Sequence, residues 1–342
     1  MPSRKEIERV GLAALHNAGV PHDHAEKQLS LLLDAELSGF PSHGLRRLPR
    51  VLERIGNGVT DPCEVGAAQW RASAFLEVDG RQGLGPVVAL KALEQAGARA
   101  RATGVAIAAI RNCDHLGMLA WYAERVASAG QLLLAFTVSE ALVHPWGGRR
   151  AMIGTNPVSI GVPTTERPFV FDMATSTVAM GKIHDFAARG EPIPEGWALD
   201  GNGDPTTDAE AAKTGAIAPF GGAKGYALGL AFEVLVGALT GCALGDEVKG
   251  TLDSTAPCNK GDLFIVVEPR PEPASAVSVF LDAIRSTDPA DPAHPVRVPG
   301  DRASTLRLKA EEADIPLDPE LWSHLVSLAK TPELPVARPF AS

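Results

Sequence analysis

The order of predicted helices and strands constrains the fold of this chain more than any single motif does. Three helices are predicted before residue 60, at 4–19, 24–38 and 43–57. Short apolar runs in the middle of the chain indicate buried strands, among them VAIAAIRN, QLLLAFTVS, PVSIGVPT, PFVFDMATS and DLFIVVEP. Helical patterns return near the end. We therefore predict a helical domain built from both termini, 1–74 plus 275–342, and a sheet domain at 75–274.

Composition and charge are those of an ordinary soluble globular protein. Of 342 residues, 45% are hydrophobic, and 41 acidic against 32 basic residues give a net charge of −9. An acidic surface disfavours a nucleic-acid partner, because phosphate binding requires a basic footprint. The four cysteines form no CxxC pair, and the first residues lack the apolar region of a signal peptide. These features predict a cytoplasmic protein with free thiols and no metal cluster.

One apolar stretch is long enough to be compared with a membrane span. Residues 225–245, GYALGLAFEVLVGALTGCALG, carry Glu233 as their single charge, and a span needs about 20 apolar residues. The stretch is rich in glycine and alanine and is only moderately hydrophobic. We therefore expect a helix buried in the core or in a subunit interface, and no membrane partner.

The chain lacks the short motifs of the commonest nucleotide and hydrolase sites. No GxGxxG follows a strand, and GRQGLG at 80–85 has the wrong spacing for a Rossmann phosphate loop. Walker, HExxH and GxSxG motifs are absent as well. A dinucleotide site in this chain would have to be built without the Rossmann fingerprint.

The segment PSHGLRR, residues 41–47, places a titratable imidazole beside arginines. If Ser42 caps a short helix, His43 and Arg47 lie four residues apart and share a face. An arginine grips a carboxylate through two hydrogen bonds, and a nearby histidine exchanges a proton with the adjacent carbonyl group. Gly44 would leave room for a ligand. From these residues alone, a capped surface helix with a basic face is the better explanation.

Several further polar side chains follow predicted strands or precede predicted helices, where ligand contacts are common. They are, in chain order, Asp114 and His115, Thr155-Asn156-Pro157, Asp172 with Thr175-Ser176, Lys182, and Lys224. Each one taken alone is equally well explained by a helix cap, a turn or a solvated side chain.

Taken in order, these segments resemble the type 2 malate/L-lactate dehydrogenase family, also described as sulfolactate dehydrogenase-like. The matching segments are PSHGLRRLPR, HLGMLAWY, GTNPVSIGVP, FDMATS, GKI followed by EPIPEGWALD, PTTD, GGAKGYALG and a late PGD. They extend from about residue 5 to residue 310, and their combination is specific although no single member is. The resemblance implies an α/β (α+β) fold that is not a Rossmann fold, with a central mixed or antiparallel sheet domain that binds NAD or NADP. It also implies a homodimer and a small anionic substrate.

The same resemblance implies roles for individual residues. His43 is similar to the catalytic acid/base, Ser42 to its relay partner, Arg47 to the carboxylate anchor, and His115 to a second histidine that accepts a proton in some members. The implied cofactor contacts are Ser139, Thr155, Asp172, Met173, Ala174, Lys182, Lys224, Gly300 and Asp301.

We predict reversible hydride transfer between the nicotinamide and C2 of a small 2-hydroxy/2-oxo acid of the malate, lactate or sulfolactate type. If Arg46 or Arg50 also reaches the pocket, the substrate carries a second anionic group. One alternative is a reductase of cyclic imines such as piperideine-2-carboxylate or pyrroline-2-carboxylate. Those relatives carry an aspartate where this chain has Lys182, which disfavours that alternative. A second alternative is a non-catalytic nucleotide-binding protein, against which the intact PSHGLRR segment counts.

Overall fold

The computed structural model describes residues 1–270, 272–311 and 314–330. The parts of the two predicted domains at residues 271, 312–313 and 331–342 therefore lie outside the described residues. The described α-helices are α1 Arg4–Asn17, α2 His22–Leu37, α3 Leu48–Gly56, α4 Gly85–Thr103, α5 Ala120–Ser128, α6 Met180–Arg189, α7 Ala209–Ala212, α8 Ala223–Thr240, α9 Pro273–Arg285, α10 Asp301–Glu311 and α11 Pro319–Lys330.

The strands form a large mixed sheet and a small antiparallel one. They are β1 Ala67–Ala72, β2 Phe75–Asp79, β3 Val105–Arg111, β4 Leu132–Thr137, β5 Val158–Val162, β6 Phe169–Met173, β7 Ala198–Leu199, β8 Pro205–Thr206, β9 Ala216–Ile217 and β10 Gly261–Val267. The large sheet has the order β1-β2-β3-β10-β4-β5-β6, and the small one the order β8-β7-β9. In the large sheet β2 and β3 are parallel and the other neighbours are antiparallel. This mixed sheet with flanking helices confirms the predicted α/β fold class.

The long apolar strands were the most predictable elements. The apolar runs correctly predict β3, β4, β5, β6 and β10. The segment GAAQWRASAFLEVDG, residues 66–80, is predicted to be extended and covers β1 and β2. β1 has no apolar run, because it is a largely exposed edge strand. It belongs to the large sheet although it lies before the expected domain boundary at residue 75. The division of the chain into two domains stays a prediction.

The two faces of the large sheet are covered by different helices. In β10, Phe264 and Val266 pack with α4 and α5 in one hydrophobic cluster, whereas Leu263 packs with α8 in another. This alternation follows from the period of two along a strand. A third cluster joins α1, α2, α3 and α11 and gives the terminal helices their own core.

Helix α8 contacts the rest of the chain along one narrow stripe. Its buried positions are Gly225, Gly229, Glu233 and Val236, and its exposed apolar residues are Leu228, Leu230, Val234 and Leu235. Among the described residues it is the one helix long and apolar enough to cross a membrane, which is weak support for a span by itself. Since only 28% of its residues are buried, the expectation of burial in the core of a single chain is wrong. Burial in a subunit interface stays a prediction.

The segment predicted as one helix over 43–57 is divided into three pieces. Pro41–His43 and Leu45–Arg47 form short 3₁₀ turns, and α3 begins only at Leu48. Gly44 separates the two turns with an extended ψ of −149°, which no helix can accommodate. The expectation that the histidine and the arginine share one helical face is therefore wrong.

A close approach of α2 requires glycine at position 44. A Cβ atom on Gly44 would lie 2.2 Å from Oε2 of Glu36 and 3.2 Å from its backbone nitrogen. That carboxylate accepts a hydrogen bond from the N–H of Leu45 at 2.9 Å, and burial raises the pKa of Glu36. The space beside Gly44, expected to admit a ligand, is thus filled by the carboxylate that fixes the second turn.

Replacing this glycine should loosen the turn. We expect Gly44→Ala to displace the Glu36 carboxylate from the N–H of Leu45 and to lower the free energy of unfolding by about 1–3 kcal/mol. Gly56→Ala is the matched control, because a Cβ there meets nothing within 4 Å, and its effect should stay within about 0.5 kcal/mol. Denaturant unfolding measures both. Equal effects of the two substitutions would contradict the role of the contact.

Candidate active site

Two histidine rings from distant parts of the chain lie side by side. His43, in the first 3₁₀ turn, and His115, which follows β3, have ring centroids 5.8 Å apart at an angle of 42°. The hydroxyl of Ser42 lies 3.1 Å from Nδ1 of His43. Nδ1 of His115 accepts a hydrogen bond from the N–H of Gly117 at 2.8 Å, so the proton of the neutral ring lies on Nε2. The structure thus brings together the three side chains predicted to be catalytic.

Both rings are uncharged at neutral pH in the free chain. Burial, followed by the positive charge of Arg47, lowers the pKa of His43 to about 4. Burial also lowers the pKa of His115 well below its usual value, and the charge of Arg47 adds to the effect. A bound anion that offset the arginine charge would raise the pKa of His43 again.

Arg47 is held by backbone carbonyl groups. Its Nε donates to the carbonyl of Ser42 at 2.9 Å, and its Nη1 donates to the carbonyl of Thr251 at 3.4 Å. Burial and the neighbouring Arg50 lower the pKa of Arg47 to about 10, so the side chain keeps its charge at neutral pH. In the part of the chain that the structure describes, Nη2 has no hydrogen-bond partner. One side of the guanidinium group is therefore available to an anion.

Two further arginines follow at helical spacing. Arg50 and Arg54 lie three and seven residues after Arg47, which places them on one side of α3, next to the turn that ends at Arg47. Nη1 of Arg50 donates to the carbonyl of Leu252, and the buried Arg54 donates to the carbonyls of Asp253 and Ala256. Sequence analysis did not identify Arg54, although this spacing is a signal that could have found it.

Asp114 is directed at an arginine rather than at the neighbouring histidine ring. It is buried, forms an ion pair with Arg54 at 3.1 Å and accepts a hydrogen bond from the hydroxyl of Thr60 at 2.7 Å. Oδ1, the oxygen that pairs with Arg54, also accepts the backbone N–H of His115 at 2.8 Å. The carboxylate therefore fixes the backbone at His115 while its charge is balanced elsewhere.

The side chains between α6 and the first 3₁₀ turn do not complete a carboxylate relay. Arg46, predicted as a substrate contact, is exposed and pairs with Asp185 of α6 at 3.0 Å. Lys182 is exposed and lies over the ring of Trp197, 5.1 Å from its centroid. Neither Asp185 nor Lys182 hydrogen-bonds Ser42 within the described structure. A substrate contact by Arg46 stays a prediction.

Predicted cofactor residues meet at the ends of the central strands. The Ser139 hydroxyl, just after β4, accepts the N–H of Thr155 at 3.2 Å and lies 3.5 Å from its hydroxyl. Thr175, just after β6, donates its hydroxyl to the carbonyl of Thr155 at 2.9 Å. The structure therefore places Ser139 and Thr155 in one polar cluster.

A buried carboxylate of α8 holds the turn that carries this cluster. Glu233 accepts hydrogen bonds from the N–H of Gly154 at 3.1 Å and from Nδ2 of Asn156 at 2.6 Å. Its second oxygen accepts the N–H of Gly245 at 2.6 Å. Sequence analysis treated Glu233 only as a charge interrupting an apolar run. A single charged residue within an apolar run indicates a buried carboxylate whose two oxygens both accept hydrogen bonds.

Asp172, Met173 and Ala174 lie where β6 ends, beside this cluster. The carboxylate of Asp172 accepts the N–H of Ala120 at 2.7 Å and so caps the start of α5. Burial raises the pKa of Asp172 to about 7. If this carboxylate also contacts a cofactor, it does so while it accepts the N–H of Ala120 at the start of α5.

The remaining predicted cofactor contacts lie on separate elements. Lys224 is exposed in the first turn of α8. Gly300 lies against the edge strand β6, where a Cβ atom would approach the carbonyl of Val170 to 3.1 Å. The carboxylate of Asp301 is already paired with Arg285 at 2.9 Å. Asp301 therefore holds its own turn, and its contact with a cofactor stays a prediction.

The donor set suits a nicotinamide dinucleotide. Ribose hydroxyl groups can hydrogen-bond the hydroxyl groups at the strand ends and the carboxylate of Asp172. Phosphate is attracted by Lys224 and by the N-terminus of α8. A cavity of about 460 Å³ lies elsewhere, between α1, α2, α5 and α10. The histidines and Arg47 do not line it.

Comparisons with known proteins agree on the family. The model of the malate/L-lactate dehydrogenase family matches residues 3–326. A malate/(S)-sulfolactate dehydrogenase of Methanothermus fervidus is 37% identical over 95% of this chain and 96% of its own length. A Δ1-pyrroline-2-carboxylate reductase of Ancylobacter novellus is 33% identical over 94% of this chain and 97% of its own. The crystal structure of a dehydrogenase from Sinorhizobium meliloti matches with a TM-score of 0.93 at 50% identity, covering 96% of this chain and 97% of that one. The chain therefore belongs to the malate/L-lactate dehydrogenase family, and it is a nicotinamide-dependent dehydrogenase.

Proposed function

We propose that the chain catalyses reversible hydride transfer between NAD or NADP and C2 of a small 2-hydroxy/2-oxo acid of the malate, lactate or sulfolactate type. One arrangement carries the proposal: two uncharged histidine rings lie 5.8 Å apart beside a charged arginine. A 2-hydroxy acid has a carboxylate and a hydroxyl group on adjacent carbons. Such a substrate needs one fixed cation and one proton acceptor close together, which this site offers.

Arg47 binds the substrate carboxylate in this proposal. Nε and Nη1 are committed to backbone carbonyls, so the guanidinium group is held in one orientation before the substrate arrives. A prepositioned cation orients the neighbouring C2 carbon and lowers the entropic cost of reaching the reactive geometry.

His43 exchanges the proton with the substrate oxygen, and Ser42 supports both of its charge states. The Ser42 hydroxyl can donate to Nδ1 of the neutral ring and accept from Nδ1–H of the charged ring. His115 lacks this freedom, because the N–H of Gly117 already donates to its Nδ1. Protonation of His115 would break that hydrogen bond. We therefore propose that His43 is the acid–base catalyst. His115 stays neutral and donates a hydrogen bond from its own Nε2–H.

The cofactor is held by the residues at the ends of β4 and β6 and by the start of α8. Ser139, Thr155 and Asp172 to Ala174 would contact the ribose and the ring, and Lys224 with Lys182 would contact the phosphates. When bound, the nicotinamide supplies or accepts the hydride.

The imine-reductase alternative has less support in this chain. Lys182 stands over Trp197, and Asp185 pairs with Arg46, so no carboxylate joins Ser42 and His43. A relative named as a pyrroline-2-carboxylate reductase nevertheless makes an imine an informative substrate to test. The non-catalytic alternative is set aside, because the relatives of this chain are named as enzymes, as dehydrogenases or as an imine reductase.

We further propose that the chain forms a homodimer and works in the cytoplasm. The exposed apolar side of α8 is an extended surface of the kind that subunit interfaces cover. No disulfide occurs among the described residues, which suits a reducing compartment.

The direct test follows the absorbance of NADH and NADPH, supplied separately, with pyruvate, oxaloacetate, sulfopyruvate and piperideine-2-carboxylate. We expect turnover with at least one 2-oxo acid, because Arg47 matches its carboxylate and the two histidines match its carbonyl group. Turnover of the imine alone would overturn the proposed substrate class.

Arg47→Lys should damage substrate use far more than cofactor binding. A lysine keeps the charge but cannot donate to two carbonyls and a carboxylate in a fixed plane. We expect kcat/KM for the 2-oxo acid to fall roughly 100-fold, while the Kd of reduced cofactor changes little. Arg71→Lys, at an exposed position of β1, is the control. A kcat/KM within twofold of the unsubstituted enzyme in Arg47→Lys would remove the arginine from the site.

The pH dependence should reflect the lowered pKa of His43. In reduction the charged ring is the proton donor, and in the free enzyme it is present below a pKa of about 4. We therefore expect kcat/KM for reduction to fall about tenfold per unit as pH rises from 5.5 to 8. In oxidation the neutral ring is the acceptor, so kcat/KM should stay free of a histidine titration over that range.

Steady-state kinetics in both directions provides the measurement, and His43→Ala provides the control. That variant should lose turnover roughly 100-fold or more while it still binds reduced cofactor. An inflection near the ordinary histidine pKa of about 6.5 in kcat/KM would contradict the lowering of the His43 pKa by burial and by Arg47.

A further inference from the structure

Residues 250–256, here called the strap, lie against the arginine side of α3. Backbone carbonyls of the strap accept the guanidinium hydrogen bonds of Arg47, Arg50 and Arg54. The proposed carboxylate anchor is therefore held by a loop about 200 residues away in sequence. Whatever fixes this loop also fixes the anchor.

A single carboxylate holds the strap from its other side. Oε1 of Glu140 accepts the backbone N–H of Thr251 at 2.7 Å and that of Leu252 at 2.8 Å. The Thr251 hydroxyl also contacts this oxygen at 3.2 Å and accepts the backbone N–H of Glu140 at 3.3 Å. Thr251 is buried, at 3% exposure, so water cannot readily replace these contacts.

One peptide group joins Glu140 directly to Arg47. The N–H of Leu252 and the carbonyl of Thr251 belong to the same peptide unit. Its N–H donates to Glu140 at 2.8 Å, and its carbonyl accepts Nη1 of Arg47 at 3.4 Å. A carboxylate at one end and a guanidinium at the other polarise the unit and strengthen both hydrogen bonds.

We infer that Glu140 is a positioning residue for the reaction, acting through the strap on the Arg47 guanidinium. Glu140 also follows Ser139, whose hydroxyl contacts Thr155. The carboxylate therefore connects the end of β4, where the cofactor is proposed to bind, with the substrate anchor. This inference rests on the proposed role of Arg47 in binding the substrate carboxylate.

A second carboxylate that binds the strap provides the control for an effect that is purely structural. Glu53 of α3 accepts the hydroxyl of Ser254 at 2.6 Å, so it fixes the same loop through a carboxylate. It contacts neither of the peptide groups that hold Arg47 and Arg50. Removing either carboxylate loosens the strap, but only removing Glu140 should disturb the anchor.

The test compares Glu140→Ala, Glu140→Gln and Glu53→Ala by steady-state kinetics and by binding of reduced cofactor. We expect Glu140→Ala to raise KM for the 2-oxo acid roughly 10–100-fold, the range for hydrogen bonds to a charged group. Its kcat and its Kd for the cofactor should change less than about threefold. Glu140→Gln keeps an acceptor oxygen and should recover most of the lost KM, and Glu53→Ala should stay within about twofold.

A second background separates this inference from the proposed function. In Arg47→Lys, the further change Glu140→Ala should raise KM less than about twofold, because the anchor it positions is already lost. An equal rise in both backgrounds, or an equal rise in Glu53→Ala, would overturn the inference and leave the proposed function intact. A normal KM in Arg47→Lys itself would overturn the anchor role and the inference with it. Should Glu140→Ala fail to fold, Glu140→Asp replaces it, because its shorter carboxylate cannot reach both amides.

Discussion

The hydrogen bond from the N–H of Leu45 to the Glu36 carboxylate determines how residues 41–47, the segment proposed to be catalytic, are arranged. The Glu36 carboxylate fills the space beside Gly44, and the backbone turns there instead of continuing as a helix. A continuous helix would place His43 and Arg47 on one stripe, equally exposed. The break instead puts the histidine in one turn and the arginine at the end of the next. The two side chains can then have separate partners, a serine hydroxyl for the ring and backbone carbonyls for the guanidinium.

This separation creates a site with an unbalanced positive charge. Arg47 and Arg50 are held by neutral carbonyl groups, and Asp114, whose charge acts on Arg47, is paired with Arg54. The free site therefore keeps both histidines uncharged and attracts an anion. A bound carboxylate balances Arg47 and removes one cause of the low pKa of His43. In the proposed mechanism, binding of the substrate carboxylate and protonation of His43 are therefore coupled.

Local patterns predicted the elements, and the order of motifs predicted the residues, but neither predicted the contacts between them. Apolar runs were sufficient for β3 and β10, because a buried strand must be apolar on both faces. They could not indicate that the loop after α8 holds Arg47, or that the Glu140 carboxylate reaches Thr251, since these contacts join segments more than 100 residues apart. The helix predicted across Gly44 failed because of a contact that is close in sequence but invisible to the local pattern, the hydrogen bond between Leu45 and the Glu36 side chain of α2.

The charge pattern around Ser42 also discriminates between substrates. A cyclic imine is protonated in its reactive form, and a cation is disfavoured beside unbalanced arginines unless a carboxylate lies nearby. In this chain the carboxylate of Asp185 forms an ion pair with Arg46, and Lys182 adds a positive charge to the same helix, α6. A 2-oxo acid carries its negative charge on the carboxylate and presents a neutral carbonyl to His43. The positive charge of the site therefore favours a neutral ketone, which takes up a proton during reduction, over an iminium ion, which is already protonated.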